Sequence, residues 1–93
     1  MVDTSHDDGT IQVLLDRLTN FRLPRALELK KRVDAGALLE DADIDFLKRV
    51  FEDAANARAL VGRHPELQSL AGQLASLYSD IMTAALKNEQ EEA

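Results

Sequence analysis

The chain has 93 residues, enough for one domain with a modest core, and 45% of them are hydrophobic but only 4% aromatic, so the core must be aliphatic. It contains no cysteine, which excludes disulfides, thiolate metal sites and cysteine nucleophiles. The net charge of −6 comes from the ends, with three aspartates in residues 1–9 and three glutamates in residues 89–93, whereas residues 11–88 hold 11 acidic and 11 basic side chains.

The two acidic ends are predicted to be disordered tails of a soluble, cytoplasmic protein. Residues 1–9 are polar, lack periodicity and include Gly9, and residues 89–93 are mainly acidic. The apolar runs are far too short to cross a membrane, and the acidic start argues against a signal peptide. We therefore expect a single helical domain at residues 10–88 between the two tails.

The first half of the chain predicts two helices, or one helix with a kink. Thr10 can cap a helix over residues 10–21, in which apolar residues recur at steps of three and four. Pro24 cannot donate a hydrogen bond to the carbonyl four residues back, so we expect a break near Arg22 and a second helix over residues 24–35. A single kinked helix is the alternative.

The second half of the chain predicts two longer helices. Asp41 or Asp43 can cap a helix over residues 43–61, and residues 65–88 show the longest apolar stripe of the sequence. The connection of residues 62–64 is short, which favours an antiparallel pair. The sequence thus predicts an all-α fold, an antiparallel helical bundle of three to four helices at about 10–21, 24–35, 43–61 and 65–88.

One stretch matches the skeleton of an EF-hand calcium loop. Its carboxylates lie at Asp41, Asp43, Asp45 and Glu52. However, Phe46 occupies the place where such a loop needs glycine, and Lys48 the place of an apolar anchor. The helical stripe that runs through these residues favours helix capping over metal binding, so no metal site is predicted.

No catalytic or cofactor-binding pattern stands out in this sequence. His6 and His64 share no ligand spacing with a third group, and His64 is best interpreted as a cap or loop residue. A Ser/His/Asp arrangement, a glycine-rich phosphate loop and a pair of catalytic carboxylates are all missing. We therefore expect a protein that is not an enzyme and holds no cofactor.

Basic residues are concentrated in residues 17–32, where six of them accompany a single acid, Glu28. This pattern allows a surface that binds nucleic acid or another polyanion. The candidate anion-binding residues are Arg22, Arg25, Lys31 and Arg32. Because no aromatic residues alternate with them and the ends of the chain are acidic, the sequence argues against nucleic acid as the main partner.

The most unusual feature is the side of the last helix away from its leucines. An exposed helix face normally carries Glu, Lys and Arg, but this face is made of small and uncharged polar residues. The candidate partner-binding residues are Ser69, Gly72, Gln73, Ser76, Ser79 and Thr83. Small residues permit close approach of another backbone, so we predict a protein–protein interaction or structural module that self-associates through this helix, with a homodimer favoured.

Overall fold

A computed structural model describes the backbone of residues 5–92 and the side chains of residues 7–91. The described chain is helical and contains no strand, which confirms the all-α prediction. Its elements are α1 (Ser5–Arg17), a π-helical turn (Leu18–Arg22), α2 (Leu23–Asp34), α3 (Asp41–Arg63), a 3₁₀ turn (Pro65–Leu67) and α4 (Gln68–Glu92). Since α1, the π turn and α2 follow one another without interruption, they form one long helix, and the described chain has three.

The π turn shows how the chain accommodates Pro24. A proline inside a helix has no N–H to donate, and its ring collides with the carbonyl four residues earlier. The wider π turn lies directly before this position, and the N–H of Leu23 bonds to the carbonyl oxygen of Leu18, five residues back. The helix therefore continues through the proline, as in the kinked-helix alternative, and the break expected near Arg22 is not formed.

Both ends of the described chain are more helical than the sequence predicts. Helix α1 begins at Ser5 rather than Thr10, and α4 continues to Glu92. Asp7 and Asp8 lie in the first turn of α1, where negative charge is favourable beside the exposed backbone N–H groups. Residues 5–9 and 89–92 thus have helical backbone where tails were expected, and the rest of those tails, residues 1–4 and 93, lies outside the described residues.

The connection between α2 and α3 is closed by backbone and side-chain hydrogen bonds. Gly36 has a φ of 99°, a left-handed conformation that glycine adopts without strain, and the N–H of Ala37 bonds to the carbonyl of Arg32 at 3.0 Å. Helix α3 then begins at Asp41, with Glu40 as its N-cap residue. Asp43 is the third residue of the helix, and its carboxylate accepts the N–H of Glu40 at 2.9 Å. The predicted capping role of the aspartates is therefore right in kind, but the position of the cap was wrong by one to three residues.

The buried core joins α2 to the first half of α3 and the second half of α4. Its most deeply buried large side chains are Leu29, Val33 and Ile81, each at most 1% exposed. The buried members of this core are Ala26, Leu29, Val33, Phe46, Leu47, Val50, Tyr78, Ile81 and Ala85. They lie at the helical spacing that the sequence indicates for the inner faces.

Two polar contacts fix the edge of this core. Asn88, which is 8% exposed, donates from its Nδ2 atom to the carbonyl of Val33 at 2.7 Å and to that of Ala37 at 2.9 Å. Arg32 donates to the buried carboxylate of Asp43 at 2.7 and 3.3 Å. Burial disfavours the charged form of Asp43, but the hydrogen bonds from Arg32 and from the Glu40 backbone lower its pKa on balance. These contacts hold the end of α2 against α4 and α3.

The other half of the molecule is packed less tightly. The described chain measures 55 × 20 × 17 Å, and its fully connected core fills only one half of that length. In the described residues of the other half, Leu60 is the only buried hydrophobic side chain. Apolar residues of α1, of the π turn and of the start of α4, such as Leu14, Leu18 and Leu70, remain partly exposed. This half therefore leaves apolar surface open to solvent.

We predict that Asn88→Ala destabilises the fold by about 1–3 kcal/mol, because two carbonyls lose a donor at a site with little access to water. The exposed Gln90 on the same helix provides the control, Gln90→Ala, which should change stability by less than about 0.5 kcal/mol. Urea unfolding monitored by circular dichroism measures both. Equal, small changes in the two variants would show that Asn88 does not fix the edge of the core.

Candidate functional site

A charged cluster connects the start of α1 with the connection between α3 and α4. The carboxylate of Asp7 accepts two hydrogen bonds from Arg63, from Nε at 2.8 Å and from an Nη atom at 3.0 Å. It also contacts Nε2 of His64 at 2.9 Å, and Nδ1 of the same ring contacts Glu66 at 3.2 Å. His64 is the C-cap residue of α3 and is buried, so the predicted cap role is confirmed.

The charges of this cluster reinforce one another. The hydrogen bonds from Arg63 and then His64 lower the pKa of Asp7 from 3.8 to about 2. The hydrogen bond to Asp7, together with that to Glu66, raises the pKa of His64 above 6.5, because an imidazolium can donate to both carboxylates at once. The sequence could not reveal this cluster, since Asp7 and His64 are 57 positions apart and neither occurs in a motif. The cluster binds the first helix to the last connection, which is a structural role.

A second feature is a cavity of about 510 Å³ between the first helix and α3, which we call the arginine cavity. Its lining residues are Arg17, Phe21, Arg22, Arg25, Ala42, Asp45, Phe46 and Arg49. The guanidinium of Arg25 lies 4.6 Å from the centre of the Phe46 ring and donates to the carbonyl of Ala42 at 3.1 Å. Arg22 forms an ion pair with Asp53. Other groups of the protein therefore hold Arg22 and Arg25 in place, and Arg17 and Arg49 line the same cavity.

The four residues predicted to bind anions do not all line this cavity. Arg22 and Arg25 line the arginine cavity, but Lys31 and Arg32 do not. The bidentate pair with buried Asp43 uses the Arg32 guanidinium inside the fold. Instead, Arg17 and Arg49 join Arg22 and Arg25, and Arg49 comes from a helix that sequence reasoning did not connect with the basic region. Arg49 lies one helical turn after Asp45 on α3, and both residues line the cavity beside the first helix. This spacing from Asp45 was the only signal in the sequence that could have pointed to Arg49.

A third feature is an apolar groove where α3 and α4 meet above the π turn, which we call the α3–α4 groove. It has a volume of about 380 Å³, and its lining includes Leu18, Phe51, Ala54, Leu74, Ala75 and Tyr78. The rings of Phe51 and Tyr78 meet edge to face at a centroid distance of 6.2 Å. Phe51 is 47% exposed even so. The large apolar side chain of Phe51 therefore remains partly in solvent at the α3–α4 groove.

A smaller apolar depression continues this surface at the far end of α4. It has a volume of about 290 Å³ and is lined by the start of α3, the end of α4 and the loop before α3. Its exposed large side chains are Leu38, Ile44, Met82 and Leu86, which are 40–57% accessible. Isolated exposed leucines are common, but a cluster of this kind marks an interaction site in most proteins.

The small-residue face predicted on the last helix lies open along α4. Ser69, Gly72 and Gln73 are exposed, and so are Ser76, Ser79 and Thr83. A Cβ atom placed on Gly72 would have nothing within 4 Å, so the described chain gives no packing reason for glycine there. Ser79 also lines the α3–α4 groove. The predicted residues thus share one face, and the structure adds the exposed apolar residues Ala75, Met82 and Leu86 beside them.

Comparison with known proteins finds no similar protein: no family model, no curated protein and no solved structure matches the chain. Within residues 5–92, none of the helices combines the length and apolar content that crossing a lipid bilayer requires. The residues of the calcium-loop skeleton lie within helix α3, and no group of three or more potential metal ligands occurs among the described residues.

We predict that the charged cluster makes stability depend on pH in two ranges. Since the folded-state pKa of His64 is raised above 6.5, its contribution is present below pH 6.5 and is lost as the pH rises through the raised value. Since the pKa of Asp7 is lowered to about 2, its contribution is present above pH 3.8 and is lost as the pH falls toward 2. Denaturant unfolding across pH 2–9 and NMR titration of His64 measure both.

Asp7→Asn is the matched control for that experiment. It should return the pKa of His64 toward 6.5 and remove much of the stability change on both sides. A His64 pKa at or below 6.5 in the unmodified protein would contradict the cluster.

Proposed function

We propose that this protein is a small interaction module that forms a homodimer by packing α4 against α4 of a second copy. The observation that carries this proposal is the row of large apolar side chains exposed along α3 and α4. The row consists of Ile44 and Phe51 on α3 and of Met82 and Leu86 on α4, and each of these side chains is at least 40% exposed. Covering such a row removes apolar surface from water, which is the dominant driving force of association.

The proposal includes an antiparallel course of α3 and α4, as their short connection predicts. Contacts along the pair support it. Residues near the start of α3, such as Ile44, share a depression with Leu86 near the end of α4. Phe51 meets Tyr78 halfway, and Val61 near the end of α3 shares the α3–α4 groove with Ala71 near the start of α4. In this arrangement, α3 and α4 together offer one apolar surface to a partner.

The sequence of α4 supports a symmetric arrangement of the two copies. Five exposed residues recur at alternating steps of three and four, the spacing of a coiled-coil seam. They are Gly72, Ala75, Ser79, Met82 and Leu86. In an antiparallel pair centred on Ser79, Gly72 of one copy lies opposite Leu86 of the other, and Ser76 lies opposite Met82. On both sides of the central Ser79 pair, a small residue of one copy therefore faces a large residue of the other, as a two-fold interface requires of a surface that must match itself.

Gly72 gives this arrangement its clearest support. Glycine inside a helix costs about 1 kcal/mol relative to alanine, mainly through backbone entropy. The described chain leaves open space around this position, so its own packing does not demand glycine. A second copy would, because the side chain of Leu86 has to approach the α4 backbone closely. Helix α4 has 25 residues, a length of about 37 Å, which is sufficient for an interface of ordinary size.

We predict that the purified protein has a mass near twice 10.3 kDa and that Ser79→Glu weakens dimerisation at least tenfold. At the proposed two-fold axis the two glutamates would face each other, and like charges at such close range repel. Size-exclusion chromatography with light scattering over a concentration series measures the association.

The control is Asn56→Glu, which adds the same charge to an exposed position on α3 that lines a different depression, next to α1. Circular dichroism should show both variants helical. A monomer at all concentrations, or equal weakening in both variants, would contradict the proposed interface.

A second prediction separates the interface from the fold. Gly72→Ala should stabilise the isolated chain by up to about 1 kcal/mol, since the helix gains propensity and the new Cβ meets no atom. The same change should weaken the dimer severalfold, because the Cβ occupies the space proposed for Leu86. Unfolding at low concentration gives the first quantity and light scattering the second. If the variant dimerises more tightly than the unmodified protein, the close approach at Gly72 is absent.

A further inference from the structure

The arginine cavity has more positive charge than the fold uses. Four of its lining side chains are arginines, Arg17, Arg22, Arg25 and Arg49. Asp53 neutralises Arg22 by an ion pair, and Asp45 on the cavity wall offsets one further charge. Within the described residues, Arg17 and Arg49 make no ion pair or hydrogen bond. Two positive charges therefore remain in one concave space, where they repel each other unless an anion is present.

The four arginines of the cavity are arranged in the way that binding of an anion requires. Arg25 is held in place from two sides, by the ring of Phe46 beneath it and by the carbonyl of Ala42. The ion pair with Asp53 restrains Arg22. Side chains that are already ordered lose little entropy when they bind a ligand. Arg17 and Arg49 can then close on the anion from the first helix and from α3, each with a planar fork of N–H donors.

An exposed aromatic ring completes the lining of the cavity. Phe21 lies in the π turn and is 71% accessible, the highest exposure among the large hydrophobic side chains of the described chain. It does not contribute to the buried core. A ring in this position can stack on a planar group of a ligand whose charged end is held by the arginines. The volume of about 510 Å³ is within the range of small-molecule sites.

We propose that the arginine cavity is a binding site for a phosphate monoester that carries an aromatic or heterocyclic group. A phosphate monoester has a charge near −2 at neutral pH, which matches the two uncompensated positive charges, and its oxygens accept the paired N–H groups of arginine. The planar group lies on Phe21. The site lies between the first helix and α3, so it does not depend on the proposed α4 dimer.

Isothermal titration calorimetry on the full chain tests this site, with phenyl phosphate as the probe, inorganic phosphate as the comparison and the ionic strength fixed with chloride. We expect saturable binding of one phenyl phosphate per chain and weaker binding of inorganic phosphate. Arg49→Ala should weaken phenyl phosphate binding about tenfold, as expected for the loss of a charge-assisted contact. Phe21→Ala should weaken phenyl phosphate binding severalfold and leave inorganic phosphate binding unchanged.

Arg58→Ala is the matched control. Arg58 lies on the same helix as Arg49, is exposed, makes no ion pair within the described chain and does not line the cavity. The two variants therefore lose the same charge, and both should remain helical by circular dichroism. Absence of saturable binding, equal weakening by Arg49→Ala and Arg58→Ala, or equal loss of both ligands in Phe21→Ala would overturn the proposal. Light scattering of Arg49→Ala reports separately on the dimer, which should be unchanged.

Discussion

The structure depends on the packing of α2 against the second half of α4, where Leu29 and Ile81 are almost completely removed from water. Each of these side chains contributes about 1.5–3 kcal/mol when fully buried, and no other contact in the described chain joins helices with so little exposure. Asn88 closes the end of this contact by satisfying two carbonyls of the α2–α3 connection. The placement of α3 follows, since Arg32 on α2 holds Asp43 at its start. Hydrophobic burial and buried polar pairing thus coincide at one end of the molecule.

This unequal distribution of packing explains why the candidate surfaces lie where they do. The half that contains α1 retains apolar residues in contact with solvent, since Leu60 is the only buried hydrophobic side chain among its described residues. The cluster of Asp7, Arg63 and His64 holds that half together by charge. The α3–α4 groove is the consequence of such open packing, and an interface between copies is the simplest means of covering it.

The π turn before Pro24 links the fold to the arginine cavity. Because the turn widens the helix rather than ending it, the first helix continues from Ser5 to Asp34 and brings Arg17, Phe21 and Arg25 along one side of α3. A π turn also places side chains differently from an α-helical turn, and such turns are frequent at functional sites. Phe21 lies in this π turn, and its ring is exposed to solvent. The proposed anion site lies between the first helix and α3 and the proposed dimer interface lies on α4, while Arg17 and Arg22 line both the arginine cavity and the α3–α4 groove.

The sequence by itself determined the all-α class and the unusual small-residue face of α4, because both depend on the local spacing of residues along a helix. Tertiary structure alone decided which charges meet. Asp7 pairs with His64 and Arg63 across more than 55 positions, Arg32 is used inside the fold, and Arg49 joins the basic residues of the first helix. Electrostatic partners depend on distance in space, which one-dimensional spacing does not encode. Pro24 also allowed two local conformations, a break or a kinked helix, and the structure shows the continuous helix with a π turn.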